Sequence, residues 1–265
     1  MAEEKIRLGG MALPNGVLVH GPTSWACAVR LPDGTLRVEA RPKQFRTSQI
    51  ERPLLRGPAR IAELFALLPQ VRRSLPEARL PFEGREVALG LVASTVALRL
   101  VRRSSLGLGL QEVISGLLSM APAVLALRNS ELAAYHGAEH VSIGTYEHGA
   151  RREKEHERCG GHLVGPLLIT NALGAALANR APERYRPPAR AAASLGALAA
   201  STEIFVWMTR NPEHPVSKIL GRPGHELQHR LSTAEPSTEQ LEVAEAALQA
   251  CLALEHEHGD GDLQT

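Results

Sequence analysis

Five of the chain's eleven histidines fall between positions 136 and 162, in the segment YHGAEHVSIGTYEHGARREKEHERCGGH. His136 and His140 are four residues apart, so on a helix both imidazoles leave one face, one turn apart. Two neutral ring nitrogens placed in that way can reach a single zinc ion. Glu139 stands between them in sequence, in the order H-x-x-E-H of the inverzincin peptidases. It could bind metal itself or act as general base toward a metal-activated water. Glu147, His156 and Cys159 follow within 20 residues. An imidazole and a thiolate three apart can share one metal ion, and a cysteine leading into a helix can have its pKa lowered. Histidines on the surface of an Arg/Glu-rich connector, beside a buried cysteine, would give the same letters without any chemistry.

A second pattern lies further on. His225-Glu226-Leu227-Gln228-His229 is formally H-E-x-x-H, the zincin pattern. Pro223 and Gly224 precede it directly, which predicts that both rings fall in the first turns of a short helix ending near Ser232-Thr233. Glu242 or Glu245 would be its third ligand, and it ranks below the first cluster. The sequence contains no Gly-rich phosphate loop after a strand.

The elements that must position these groups can be read from periodicity. The chain has 265 residues, 44% of them apolar, enough for a sizeable core in one large domain or two small ones. Thirty Lys and Arg face 28 Asp and Glu, so no overall basic field draws in nucleic acid. The three cysteines are odd in number and far apart, which fits a reducing compartment better than a disulfide framework. The charged, Gly/Pro-broken start has no signal-peptide character. Residues 17–40 read as strands, with Pro32-Asp33-Gly34 as a hairpin turn. Ile61, Leu64, Phe65 and Leu68 recur at helical spacing, with Pro69 expected to close that helix.

Four longer apolar stretches, 86–101, 105–127, 160–178 and 189–209, approach membrane-spanning length. Buried helices of a soluble bundle read equally well. If all four cross, the Arg-rich loops after 101 and 178 share one side. The positive-inside rule makes that side cytoplasmic, while the unexported N-terminal strands argue for the reverse, so orientation stays open. Ser237 and Gln240 have capping-box spacing before a helix whose Leu241, Ala244, Leu248, Cys251 and Leu252 form an apolar face. The end, Glu255 to Asp262, reads as a frayed tail, with weak metal scavenging as the alternative.

Several motifs resemble a known family, the YqhQ-like bacterial proteins. Gly9-Gly10-Met11-Ala12, Asn15-Gly16-Val17-Leu18 and Gly21-Pro22 resemble its opening, and Pro53-Leu54-Leu55-Arg56-Gly57 its first helix. Tyr135 to His140 resembles its most distinctive hexapeptide, with Tyr146-Glu147 and Gly149 after it. His156-Glu157-Arg158-Cys159-Gly160 resembles its His-Pro-Arg-Cys-Gly step, with Glu157 in place of the usual Pro. Leu227-Gln228, Leu231, Thr233, Glu235 and Pro236 resemble its closing motif. The resemblance implies a metal-dependent enzyme with several membrane helices and no settled substrate. It also lowers the rank of His225 and His229, and it adds Glu203, within the last apolar stretch, as an outlying site candidate.

The resulting expectation is an α+β, mainly helical chain. A β-rich unit would span 1–57, a helical body 58–210 carries the His/Glu/Cys cluster, and a helical segment 211–265 packs back onto it. The expected metal ligands are His136, His140, Glu147, His156 and Cys159, with Glu139 as general base, zinc as the divalent metal and hydrolysis as the reaction. The lipid bilayer is the expected partner, with a soluble cytoplasmic protein as the alternative. The rival function is a membrane-associated structural protein whose metal only pins the 136–160 connector; redox chemistry at Cys159 is a third. An open coordination position favours catalysis, and a closed set of four protein ligands favours structure.

Overall fold

A computed structural model describes residues 5–45, 47, 49–127 and 130–262. The chain is mainly helical, with one small antiparallel sheet at its N-terminal end. Four strands, β1 (Gly9–Leu13), β2 (Gly16–His20), β3 (Ser24–Arg30) and β4 (Leu36–Pro42), form a meander in sequence order. The sheet thus begins at Gly9, one strand before the alternation first becomes readable. The Asp33-Gly34 turn closes β3 onto β4 as expected: Gly34 has φ +84°, and the Thr35 amide donates to the Asp33 carboxylate at 2.9 Å.

Strand alternation divides the sheet into two buried faces. Leu18, Trp25, Cys27 and Val29 meet Leu67, Leu68 and Val71 of α1 (Arg56–Ser74). Val17, Val19, Ala26 and Ala28 meet α4 (Ser130–His148) and α8 (Thr238–Asp262). A sheet covered on both sides explains why β2 and β3 are apolar at nearly every position. Helix α1 passes through Pro69 and ends five residues later, against the sequence expectation. The capping box forms reciprocally: the Ser237 amide donates to Gln240 Oε1 at 2.9 Å, and the Gln240 amide to Ser237 Oγ at 3.3 Å. The expected frayed tail is corrected. Glu255 is 6% exposed and its carboxylate accepts from the amides of Thr23 and Ser24 and from both hydroxyls, tying α8 to the sheet.

The four apolar stretches become α2 (Arg85–Arg103), α3 (Leu108–Leu127), α5 (Val164–Ala178) and α6 (Arg186–Arg210). Among the described residues two helical segments, Gly160–Ala178 and Glu183–Arg210, are long and apolar enough to cross a membrane, rather than four. Helix α2 falls out because Arg85, Glu86, Arg99, Arg102 and Arg103 load both its ends. Within α5 and α6, only 17% and 22% of the apolar windows are buried by the rest of the chain. Leu168, Ile169, Leu173 and Leu177 of α5 all face outward. These two segments give weak support for membrane association.

Helix α7 (Pro215–Leu227) runs straight into a π-helical turn, Gln228–Ser232. Pro223 and Gly224, expected just before a helix, lie near the end of this one. Gly224 is required there for contact: a Cβ on it would lie 2.5 Å from the Gly161 carbonyl oxygen.

Candidate metal centre

Helix α4 delivers His136 and His140 to one side, as the four-residue spacing demands. Their rings are 4.3 Å apart, centroid to centroid. Cys159 joins them from the start of a short 3-10 turn, Gly160–Leu163, that leads into α5. Its Sγ lies 3.7 Å from His136 Nε2 and accepts the Gly161 amide at 3.4 Å. One ligand atom from each of His136, His140 and Cys159 lies within 4.8 Å of the other two. Zinc–nitrogen and zinc–sulfur bonds in a tetrahedron put ligand atoms about 3.3–3.8 Å apart, so the sulfur and one ring nitrogen already have that spacing.

The far nitrogens of both rings are fixed by backbone carbonyls. His136 Nδ1 donates to the Ser232 oxygen at 2.7 Å and His140 Nδ1 to the Lys154 oxygen at 2.6 Å. A carbonyl can only accept, so each ring carries its proton on Nδ1 and turns the Nε2 lone pair toward the group. Metal-binding histidines are held in this manner. Burial, with some help from neighbouring histidines, favours the neutral rings: His136 is lowered from its ordinary pKa and His140 to about 2. Burial also pushes the Cys159 thiol up to about 12 and the Glu139 carboxyl up to about 8. Such a pocket stabilises a thiolate only beside a positive charge.

Glu139 is 6% exposed and packs beneath Gly10 of β1, where a Cβ would lie 2.4 Å from its Oε1. Among the described residues no hydrogen bond reaches its carboxyl, and its charge would oppose a Cys159 thiolate nearby. Glu147 and His156 stand beside the group rather than in it. His156 Nε2 donates to Glu147 Oε2 at 3.1 Å, and its Nδ1 accepts the Arg158 amide at 3.3 Å, so both ring nitrogens are engaged. Glu147 also pairs with Arg158. The His156 ring nevertheless sits 5.5 Å from that of His140.

His225 and His229 lie apart from this centre, with stacked rings 6.2 Å apart and His229 held by Glu155 at 2.9 Å. Glu203 lies elsewhere too. It accepts from Arg56 Nε and from the Leu54 amide, both at 3.0 Å, next to a Leu54 with φ +67°. Its role is to tie α6 to the entry of α1.

Three groups that support the centre were not singled out from sequence. Gln228 is fully buried; its Oε1 accepts the His156 amide at 2.9 Å and its Nε2 lies 3.1 Å from His162 Nδ1. Ser232 acts only through its carbonyl. Gly137 lets the chain pass close, since a Cβ there would lie 2.1 Å from the Ala234 carbonyl oxygen. The sequence signals for these were the closing motif around 227–236, which holds Gln228 and Ser232, and the hexapeptide from Tyr135 to His140, which holds Gly137.

Residues 124–254 match a family described as "Protein of unknown function (DUF1385)". Over 295 aligned residues the chain is 25% identical to "Uncharacterized protein YqhQ" of Bacillus subtilis (strain 168), covering 93% of this chain and 92% of that protein. No solved structure matches.

Proposed function

We propose that this YqhQ-like protein is a metal-dependent hydrolase in which His136, His140 and Cys159 hold one zinc ion. The carrying observation is the convergence of one ligand atom from each of three residues, with both imidazoles held by backbone carbonyls. Three protein ligands on a tetrahedral ion would leave its fourth position to a non-protein ligand. The soft sulfur with two imidazoles suits zinc over magnesium or calcium. His156 is the fourth protein ligand that a structural site would require, and its two nitrogens are committed to Glu147 and the Arg158 amide.

A zinc ion bound there would supply Lewis acidity toward a water and a substrate oxygen. The remaining work belongs to the chain. A cation beside Glu139 favours its ionised form. Glu139 then takes one proton from the attacking water as the water oxygen bonds to the acyl or phosphoryl centre. It returns that proton to the departing oxygen or nitrogen as the old bond breaks, so one water is consumed and no redox partner is needed. The carbonyls of Ser232 and Lys154 keep both imidazoles in the ligating tautomer. The centre lies where Cys159 leads into Gly160–Ala178. With that segment and Glu183–Arg210 inserted in lipid, the chemistry would take place at a membrane surface.

Cobalt substitution of the detergent-solubilised full chain tests this reading. Wild type should show a near-ultraviolet thiolate-to-cobalt band that Cys159→Ser abolishes, and its visible bands should move when a hydroxamate is added. Bands indifferent to hydroxamate would show a closed site and favour the structural rival.

A further inference from the structure

Beside the metal centre is a cleft of about 370 Å³, between the N-terminal segment before β1 and the connector after α4. Its walls carry Lys5, Arg7, Arg152 and Arg158 against Glu147, Glu155 and Glu157. The three carboxylates already have partners. Glu147 holds Arg158 and His156, Glu157 holds Arg152 at 3.4 Å, and Glu155 faces His229 at 2.9 Å. Among the described residues neither Lys5 nor Arg7 has a carboxylate partner. The Lys5 ammonium instead donates to the Tyr146 carbonyl and lies 5.5 Å from the Tyr146 ring, while the Ile6 amide donates to the Tyr146 hydroxyl at 3.1 Å. Residues 140 positions apart are thus held so that two cations with no carboxylate partner among the described residues face one cavity. His156 lines that cavity and its ring lies 5.5 Å from that of His140, tilted by 35°, so a molecule in the cleft lies next to the candidate metal group.

We propose that this cleft binds a phosphate group of the substrate, with Arg7 and Lys5 as its principal contacts. A guanidinium fork and a point-charge ammonium are the usual phosphate partners, and the volume suits a small molecule or a headgroup. The catalytic sense of this site rests on the zinc-hydrolase reading, but its occupancy does not.

The test uses zinc-loaded full chain and inorganic phosphate, followed by calorimetry, with zinc content measured on every sample. Lys5→Gln combined with Arg7→Gln should weaken phosphate binding about tenfold or more with zinc unchanged. Arg7→Lys should recover part of the loss. Binding equal to wild type in the double variant, or no binding by wild type, overturns the proposal. So does a double variant that loses zinc along with phosphate, since the anion would then have been on the metal. His136→Ala with His140→Ala should still bind phosphate; if it alone fails, the zinc accounts for the binding and the cleft does not. Flotation with phosphatidic acid and phosphatidylcholine vesicles separates the sources. Loss of phosphatidic acid binding in the double variant assigns a lipid headgroup, and loss for free phosphate alone assigns a soluble ester.

Discussion

His136 and Ser232 are joined by a 2.7 Å hydrogen bond from ring Nδ1 to backbone carbonyl, across 96 positions of sequence. The proposed metal centre therefore depends on a π-helical turn that contributes no ligand. That turn also carries Gln228, which holds the His156 amide on the other side. A perturbation of the turn should reach the metal without touching a ligand.

Wild-type protein should purify with about one equivalent of divalent metal, and His136→Ala with His140→Ala should remove it. His225→Ala with His229→Ala should leave metal content nearly unchanged, because that pair sits on its own surface cleft with Glu155. Elemental analysis of the three proteins decides between the motifs. Loss of metal from the 225–229 variant alone would reverse the ranking.

Glu139→Gln should keep the metal and lose at least about a hundredfold of any hydrolytic rate, the usual worth of a general base. The amide keeps the shape beneath Gly10 but cannot take a proton from water. Full activity in this variant would remove Glu139 from the mechanism.

Gly137→Ala should destabilise the fold by about 1–3 kcal/mol and weaken metal binding as well. The added methyl would need the space of the Ala234 carbonyl oxygen, two residues from Ser232. Urea midpoints with parallel chelator competition measure both effects. A stable variant with normal metal affinity would mean that the 232–234 segment is free to move aside.

The ring of His20 accepts from Lys43 at 3.1 Å on Nδ1, and burial, then the Lys43 charge, lowers its pKa from 6.5 to about 4. Below pH 6.5 the unfolded chain takes a proton that the folded ring refuses. Stability is therefore full above that pH and falls as pH drops toward about 4, by up to about 3 kcal/mol. Lys43 and Glu63 face the ring and pair with each other. Urea unfolding at pH 7.5 and pH 5 should show this loss in wild type, and a much shallower one in His20→Gln. Equal slopes would acquit the histidine.

The protein should sediment with membranes and require detergent for extraction, through the apolar surface of α5 and α6. Leu173→Lys with Leu177→Lys, both outward-facing on α5, should shift it toward the soluble fraction. A wild type that is already soluble would return these helices to ordinary packing.

What could be read from sequence was whatever depends on short periods. The four-residue spacing put His136 and His140 on one face, strand alternation located β2 to β4, and Ser237 with Gln240 announced α8. Pro69 and Pro223 misled because both prolines stay exposed while residues beside them, Leu67, Leu68 and Val71 in α1 and Gly224 in α7, are buried and carry the helix past them. One of the four apparent spans, α2, drops out because apolar composition alone ignores the charges at its ends. Ser232 and Lys154 were beyond reach for another reason: they serve through backbone carbonyls, which leave no mark in the choice of residue. Gln228, by contrast, acts through its side chain and stood in the closing motif.

The Ser232 contact also fixes an order of events during synthesis. His136, His140 and Cys159 leave the ribosome well before residue 232, and the α5–α6 segment must emerge in between. Until then the His136 imidazole has no carbonyl to set its tautomer, and Gln228 cannot hold the connector carrying Cys159. The nascent chain therefore displays thiol and imidazoles without the contacts that set them, and in the proposed centre metal acquisition would be a late step of maturation. A chain arrested before residue 228 should take up cobalt without the thiolate band of the finished protein.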